Sequence, residues 1–95
     1  MNEQIDRFIR YIAVERGLSR HTIQAYSSDL ARFSSFLIEA GIGDLSAVEE
    51  RHIASFVRDG CPHTSIRSRA RFMSAIRSFF TFLVREGEVS QHPME

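Results

Sequence analysis

An all-α fold, a compact four-helix bundle, follows from three observations on this 95-residue chain. Apolar residues recur at spacings of three and four along most of its length, the period of a helix with one buried face. Glycines stand where such runs stop, as helix ends favour. No segment carries a strand signal.

The elements follow in order. Ile5, Phe8, Ile9, Ile12 and Ala13 form one apolar stripe, which predicts a first helix from about Glu3 to Arg16, ended by Gly17. Ser19 is a good N-cap for a second helix reaching about Ala40 and stopping at Gly41. Its seam is Ile23, Tyr26, Leu30, Phe33 and Leu37; its other face is Arg20, Gln24, Ser27, Ala31 and Ser34. After Arg20 that face is uncharged and mostly small, which suits the close approach of a flat partner. The turn Gly41–Asp44 leads to a shorter third helix, starting between Ser46 and Glu50 and ending near Arg58. Ser46 with Glu49 fits a capping box, and Ile53, Phe56 and Val57 form its buried side. Asp59 to His63 is a loop, because Gly60 and Pro62 break helices. Thr64 or Ser65 caps a fourth helix running to about Arg85. Residues 1–87 therefore form one domain, and the polar, Pro93-containing stretch 88–95 reads as the start of a linker.

The fourth helix has two contrasting faces. Arg67, Arg71, Ser74, Ser78, Thr81 and Arg85 align as a polar stripe, and Phe72, Met73, Ile76, Phe79, Phe80 and Leu83 fill the opposite side. An ordinary solvated face mixes acids with its bases. This one carries Arg and hydroxyls without an acid, which suits a surface lined with phosphate oxygens.

Composition narrows the possibilities. Hydrophobic residues make up 43% of the chain, with eight Phe and no Trp, as in a small globular domain. The net charge is zero, but Gly60 to Val84 holds four Arg and no acid. Acids gather instead at Glu3 and Asp6, between Glu39 and Glu50, and from Glu86 onward. Such a local basic patch is enough to meet one phosphate-rich surface. All twelve basic residues are Arg, the side chain that grips phosphate and guanine with two prongs; a GC-rich coding bias accounts for the same usage. The single cysteine, Cys61, excludes an internal disulfide and points to an intracellular, cytoplasmic protein. No apolar run approaches the roughly 20 residues of a membrane span.

Several chemistries find no residues to carry them. The histidines at 21, 52, 63 and 92 are scattered, and Cys61 with His63 offers at most two ligands, so no metal site is expected. Cys61 lacks an orienting third group for nucleophilic catalysis. The glycines read as helix stops and form no phosphate loop, and Glu49 and Glu50 diverge on a helix. No cofactor and no catalytic residue are expected within the chain.

Two segments carry a family resemblance. Gly17-Leu-Ser-Arg-His-Thr-Ile-Gln-Ala-Tyr-Ser-Ser-Asp-Leu30, followed by Phe33 and Leu37, resembles the run that opens the second helix in Xer-type tyrosine recombinases and phage integrases. Ser74-Ala-Ile-Arg-Ser-Phe-Phe-Thr-Phe-Leu-Val-Arg-Glu-Gly87 looks like that family's fourth helix. The match runs from about Ile5 to Pro93, with His92 where the family commonly has Asn. The resemblance implies an N-terminal core-binding, SAM-like domain that forms half of a clamp on duplex DNA, with its second and fourth helices across the recombination site. It implies double-stranded DNA and other recombinase protomers as partners, and an isolated domain that is monomeric. It places the tyrosine chemistry in a separate C-terminal domain.

On this reading the candidate DNA-binding residues are Arg20, His21, Thr22, Gln24 and Ser27 on the second helix. On the fourth they are Thr64, Ser65, Arg67, Ser68, Arg71 and Ser74. Ser19, Thr64 and Ser65 serve equally as caps. Arg77 and Asp29 lie beside the apolar seams and are assigned to intramolecular pairing or packing, and Tyr26 to the core. A helical protein-interaction module that never meets DNA is the alternative. A helix-turn-helix repressor ranks last, since no short helix pair joined by a tight turn is present. The chain alone should neither cleave nor rejoin DNA. Incubation with a suicide substrate should trap no covalent complex, and a DNA adduct on Tyr11 or Tyr26 would overturn this expectation.

Overall fold

The computed structural model describes residues 1–95. Helix α1 spans Asn2–Val14, α2 Arg20–Glu39, α3 Glu50–Ser55 and α4 Ile66–Arg85. A 3₁₀ turn, Leu45–Ala47, precedes α3, and a π-helical turn, Phe56–Gly60, follows it. There is no strand, and the radius of gyration of 12.5 Å is that of a close-packed chain of this length. The expected all-α bundle is the observed one.

Local chemistry sets the ends of the long helices. Ser19 Oγ accepts the Thr22 N–H at 3.2 Å, and Ser65 Oγ accepts the Ser68 N–H at 3.1 Å, so each satisfies a donor that the first helical turn leaves unpaired. Of the two proposed caps for α4, Ser65 is the one used. Gly17, Gly41 and Gly87 lie at φ +60°, +82° and +75°, the left-handed region that reverses a chain leaving a helix. Across the last two, the Ile42 and Glu88 N–H groups return to the Leu37 and Leu83 carbonyls at 2.8 and 2.9 Å.

The third helix departs most from expectation. Ser46 does not pair with Glu49. Asp44 Oδ1 instead accepts both the Ser46 N–H, at 2.9 Å, and the Ser46 hydroxyl, at 2.8 Å. These bonds, the backbone one foremost, hold the Asp44 carboxyl below its ordinary pKa. The α-helix begins one turn later, where the Glu49 N–H donates to His52 Nδ1 at 2.9 Å. It gives way at Phe56, whose ring packs against Phe33, Phe36 and Phe72. The wider π turn brings Gly60 against the same rings. A Cβ there would stand 2.8 Å from Phe56 and 3.0 Å from Phe36, so only glycine fits without displacement. Cys61, read from the sequence as a loop thiol, is buried beside this turn.

The core is a continuous aromatic network. Tyr11 packs on Phe82, Phe82 on Phe8, Phe8 on Phe79 and Phe79 on Phe80. Phe80 meets Phe33, and Phe33 meets Phe56, which joins Phe36 and Phe72. All eight phenylalanines are in it, at centroid separations of 5.2 to 6.5 Å, within the range of favourable tilted and edge-to-face packing. Leu30, Leu37, Ile76 and Leu83 fill the spaces between rings and are fully buried. Tyr26, expected inside, is only half-buried at the margin of this core. Ser34, expected on the open face of α2, is buried.

The segment after Gly87 lies against the body. Val89 is buried, Arg7 pairs with Glu88, and the His92 ring sits 6.0 Å from Phe80. His92 Nδ1 accepts the Met94 N–H at 3.1 Å, which makes Nε2 the donor to the Arg77 carbonyl, also at 3.1 Å.

Phe80 joins two parts of the ring network at zero exposure. Phe80→Ala should therefore destabilise the domain by about 3–5 kcal/mol, read as a lowered urea or thermal midpoint. An unchanged midpoint would mean that Phe80 does not join them.

Candidate nucleic-acid interface

The two candidate segments begin in the same way. At the start of α2, the Ser19 hydroxyl donates to Thr22 Oγ1 at 3.0 Å while accepting the Thr22 N–H. At the start of α4, the Ser65 hydroxyl donates to Ser68 Oγ at 3.2 Å while accepting the Ser68 N–H. In each pair one hydroxyl proton is used between the two side chains, and the other remains free to donate outward. Each helix thus presents a hydroxyl donor together with its unpaired first-turn N–H groups, the features that hold an anion at a helix N-terminus.

Around these starts, Arg20, His21, Gln24, Arg67 and Ser74 are exposed, and Ser27 is half-buried. Four arginines form carboxylate pairs: Arg7 with Glu88, Arg51 with Glu49, Arg58 with Asp59 and Arg71 with Asp29. Arg20 and Arg67 are in none of them and are available to a ligand. Thr64 is directed inward, its hydroxyl donating to the Cys61 carbonyl at 2.8 Å and accepting from Arg69 Nε at 3.3 Å. It fixes the approach to α4. His63, just before it, takes φ +66°, a left-handed conformation uncommon outside glycine.

Arg71 does not stand free in the stripe. Its Nε and one terminal nitrogen donate to the two Asp29 oxygens, each at 2.8 Å. Asp29 is 2% exposed and the Arg71 side chain 38%. The bond to Asp29 holds the Arg71 guanidinium above its ordinary pKa. Asp29 is thus paired within the fold as expected, but with Arg71. Arg77, assigned to the same kind of role, is exposed and has no carboxylate partner. A helical wheel gives the direction of a side chain and not its neighbour 42 residues away.

This pair joins the third turn of α2 to the second turn of α4. A further set of arginines, Arg16, Arg77 and Arg85, lines a cleft along the C-terminal half of α4. Only Arg85, through its place on the polar stripe, was marked there by the sequence. No group of His, Cys, Asp and Glu in the structure could hold a metal ion.

Comparison with known proteins places this geometry in context. Residues 5–87 match the family described as phage integrase, N-terminal SAM-like domain. The tyrosine recombinase XerD of Listeria monocytogenes serotype 4b is 38% identical over 99 residues, covering 99% of this chain and 32% of the relative. The tyrosine recombinase XerC of Roseiflexus castenholzii is 38% identical over 96 residues, covering all of this chain and 31% of the relative. XerC of Pseudomonas aeruginosa (strain UCBPP-PA14) is 34% identical over 94 residues, again 31% of its length. The chain thus spans about a third of these curated relatives. No solved structure matches it.

Arg71→Ala would leave the Asp29 carboxylate buried and unpaired. Breaking a fully buried pair costs about 3–5 kcal/mol; the partial exposure of Arg71 lowers the expected loss to about 2–3 kcal/mol. Replacing both partners, Asp29→Leu with Arg71→Met, should recover much of it. A double-mutant cycle read by urea unfolding checks this, and additivity of the two single changes would refute the coupling.

Proposed function

This chain belongs to the phage integrase N-terminal SAM-like domain family, and we propose that it clamps duplex DNA at the core site of a tyrosine recombinase. The observation that carries the reading is the matched construction of the two helix starts. Each offers first-turn N–H groups, one free hydroxyl proton and an unpaired arginine: the Ser19–Thr22 pair with Arg20, and the Ser65–Ser68 pair with Arg67. Donors of this kind fit backbone oxygens better than base edges, so the grip is on phosphates and selects sequence weakly. Gln24, exposed one turn into α2, is the side chain suited to an adenine edge. Thr64 and Arg71 support the surface from behind by fixing its two helices, Ser65 caps α4 on it, and Ser27 and Ser74 flank it.

The curated relatives are recombinases about three times as long. The strand-breaking activity of such a protein belongs, on this reading, to the length that the chain does not cover, and the chain itself is non-catalytic. Its partners are then double-stranded DNA and other protomers of the assembled recombinase, and its setting is the cytoplasm. No helix is long and apolar enough to cross a membrane.

Binding should be weak and steeply salt-dependent. Arg67→Ala should lower affinity for all duplexes alike and reduce the log–log salt slope by about 0.9, the value for one lost phosphate contact. Gln24→Ala should instead change the ranking among sequences. Fluorescence anisotropy across a salt series measures both. If wild type binds no duplex, or binds with no salt dependence, the chain is a protein-interaction module and the DNA reading fails.

A further inference from the structure

The cleft between the C-terminal parts of α1 and α4 lies apart from the two helix starts on which the proposed grip rests. It has a volume of about 150 Å³ and is lined by Arg16, Arg77, Ser78, Thr81 and Arg85, with Tyr11 and Phe82 as its apolar wall. We propose that it is a second seat for a phosphate of duplex DNA, so that the backbone is held along the whole of α4 and not at its start alone. The proposal rests on the DNA-binding reading and extends it.

Charge is the first argument. Three guanidinium groups border one small cleft, and no carboxylate lines it. None of the three is in an ion pair. Glu15 and Glu86, their neighbours in sequence, line an adjacent cleft with Arg7 and Arg10. Arginines without carboxylate partners around one cleft give it a positive potential that favours an anion. The second argument is order. The Arg85 guanidinium lies over the Tyr11 ring, 4.6 Å from its centroid, a cation–π contact that restrains a long side chain before any ligand arrives. Thr81 donates its hydroxyl to the Arg77 carbonyl at 3.0 Å, and His92 donates to the same carbonyl. The turn that carries Arg77 is therefore fixed from both sides. The third argument is alignment. Ser78, Thr81 and Arg85 continue the polar stripe that begins at Arg67.

The cleft lies toward the C-terminal ends of both helices, where the backbone dipoles oppose an anion. The arginines must supply the attraction, so the site should respond strongly to their removal. Ser78 stands about 16 Å along the helix from Arg67 at 1.5 Å per residue, so the two places are far enough apart to take different phosphates.

The test uses the 95-residue chain and a duplex whose phosphates are ethylated one at a time. Wild type should show two separate groups of interfering phosphates. A triple variant, Arg16→Gln with Arg77→Gln and Arg85→Gln, should lose one group and about 0.9 from the log–log salt slope. A control of equal net charge, Arg32→Gln with Arg51→Gln and Arg58→Gln, should keep both. Thermal unfolding by circular dichroism checks that each variant is folded. If the triple does not fold, the exposed single change Arg85→Gln is read in its place, and it should weaken interference at the same group. If the seat variant keeps both groups and the full slope while Arg67→Ala lowers it, the seat is refuted and the DNA-binding reading stands. If the control loses as much as the seat variant, net charge accounts for the effect and the seat is refuted. If neither Arg67→Ala nor the triple alters binding, the proposed DNA-binding surface is refuted and the seat with it.

Discussion

The buried carboxylate of Asp29 constrains the rest of this molecule. A charge taken out of water has to be met, and Arg71 meets it with two bonds at 2.8 Å. Such a pair adds little net stability, because desolvation consumes most of the attraction. Its larger effect is to penalise other arrangements: any shift of α2 along α4 would strand the carboxylate. The crossing of the two helices is thereby held at the middle of α2 and the second turn of α4. Arg71 also lies over the Phe72 ring at 5.6 Å, which carries the constraint from the charged layer into the aromatic core.

A net charge of zero does not contradict a basic face. At physiological ionic strength, charges are screened beyond about 8 Å, and the molecule measures 32 × 31 × 22 Å. Acids at Asp44, Glu49 and Glu50 sit around α3, where Glu49 is already paired with Arg51. A ligand close to the start of α4 responds to Arg67 and to the helix terminus more than to the sum over the chain. The distribution of pairs matters more than the count: Arg7, Arg51, Arg58 and Arg71 are committed to carboxylates, whereas Arg16, Arg20, Arg67, Arg77 and Arg85 are not.

Features governed by chemistry within a few residues could be read directly from the chain. Ser19 and Ser65 cap because a hydroxyl before an apolar periodic run has a donor within reach, and the glycines at 17, 41 and 87 end helices because φ must turn positive there. The ring-bearing seams of α2 and α4 were equally legible. Features set by contacts distant in sequence were not. Nothing near Arg71 announces Asp29. Ser34 lies on a small, uncharged face that periodicity places outside, yet it is buried. The third helix gives way to a π turn where Phe56 and Gly60 meet Phe36 from α2. Val89 looks like part of a polar tail until the body it covers is known. The candidate surface divides along the same line: the helix starts at 19–24 and 65–68 were visible, but the division of labour among their hydroxyls and arginines needed coordinates.

Cys61 gives the fold a built-in clock. It is the chain's one thiol, 4% exposed, and follows directly on the π turn where Gly60 closes against two phenylalanine rings. A thiol reagent can reach it only when that closure opens. Labelling kinetics therefore count the excursions of a single seam, the one from which the Cys61 carbonyl holds Thr64 and so the approach to α4. Comparing that rate with the global unfolding rate separates loosening of the α4 entrance from loss of the whole structure.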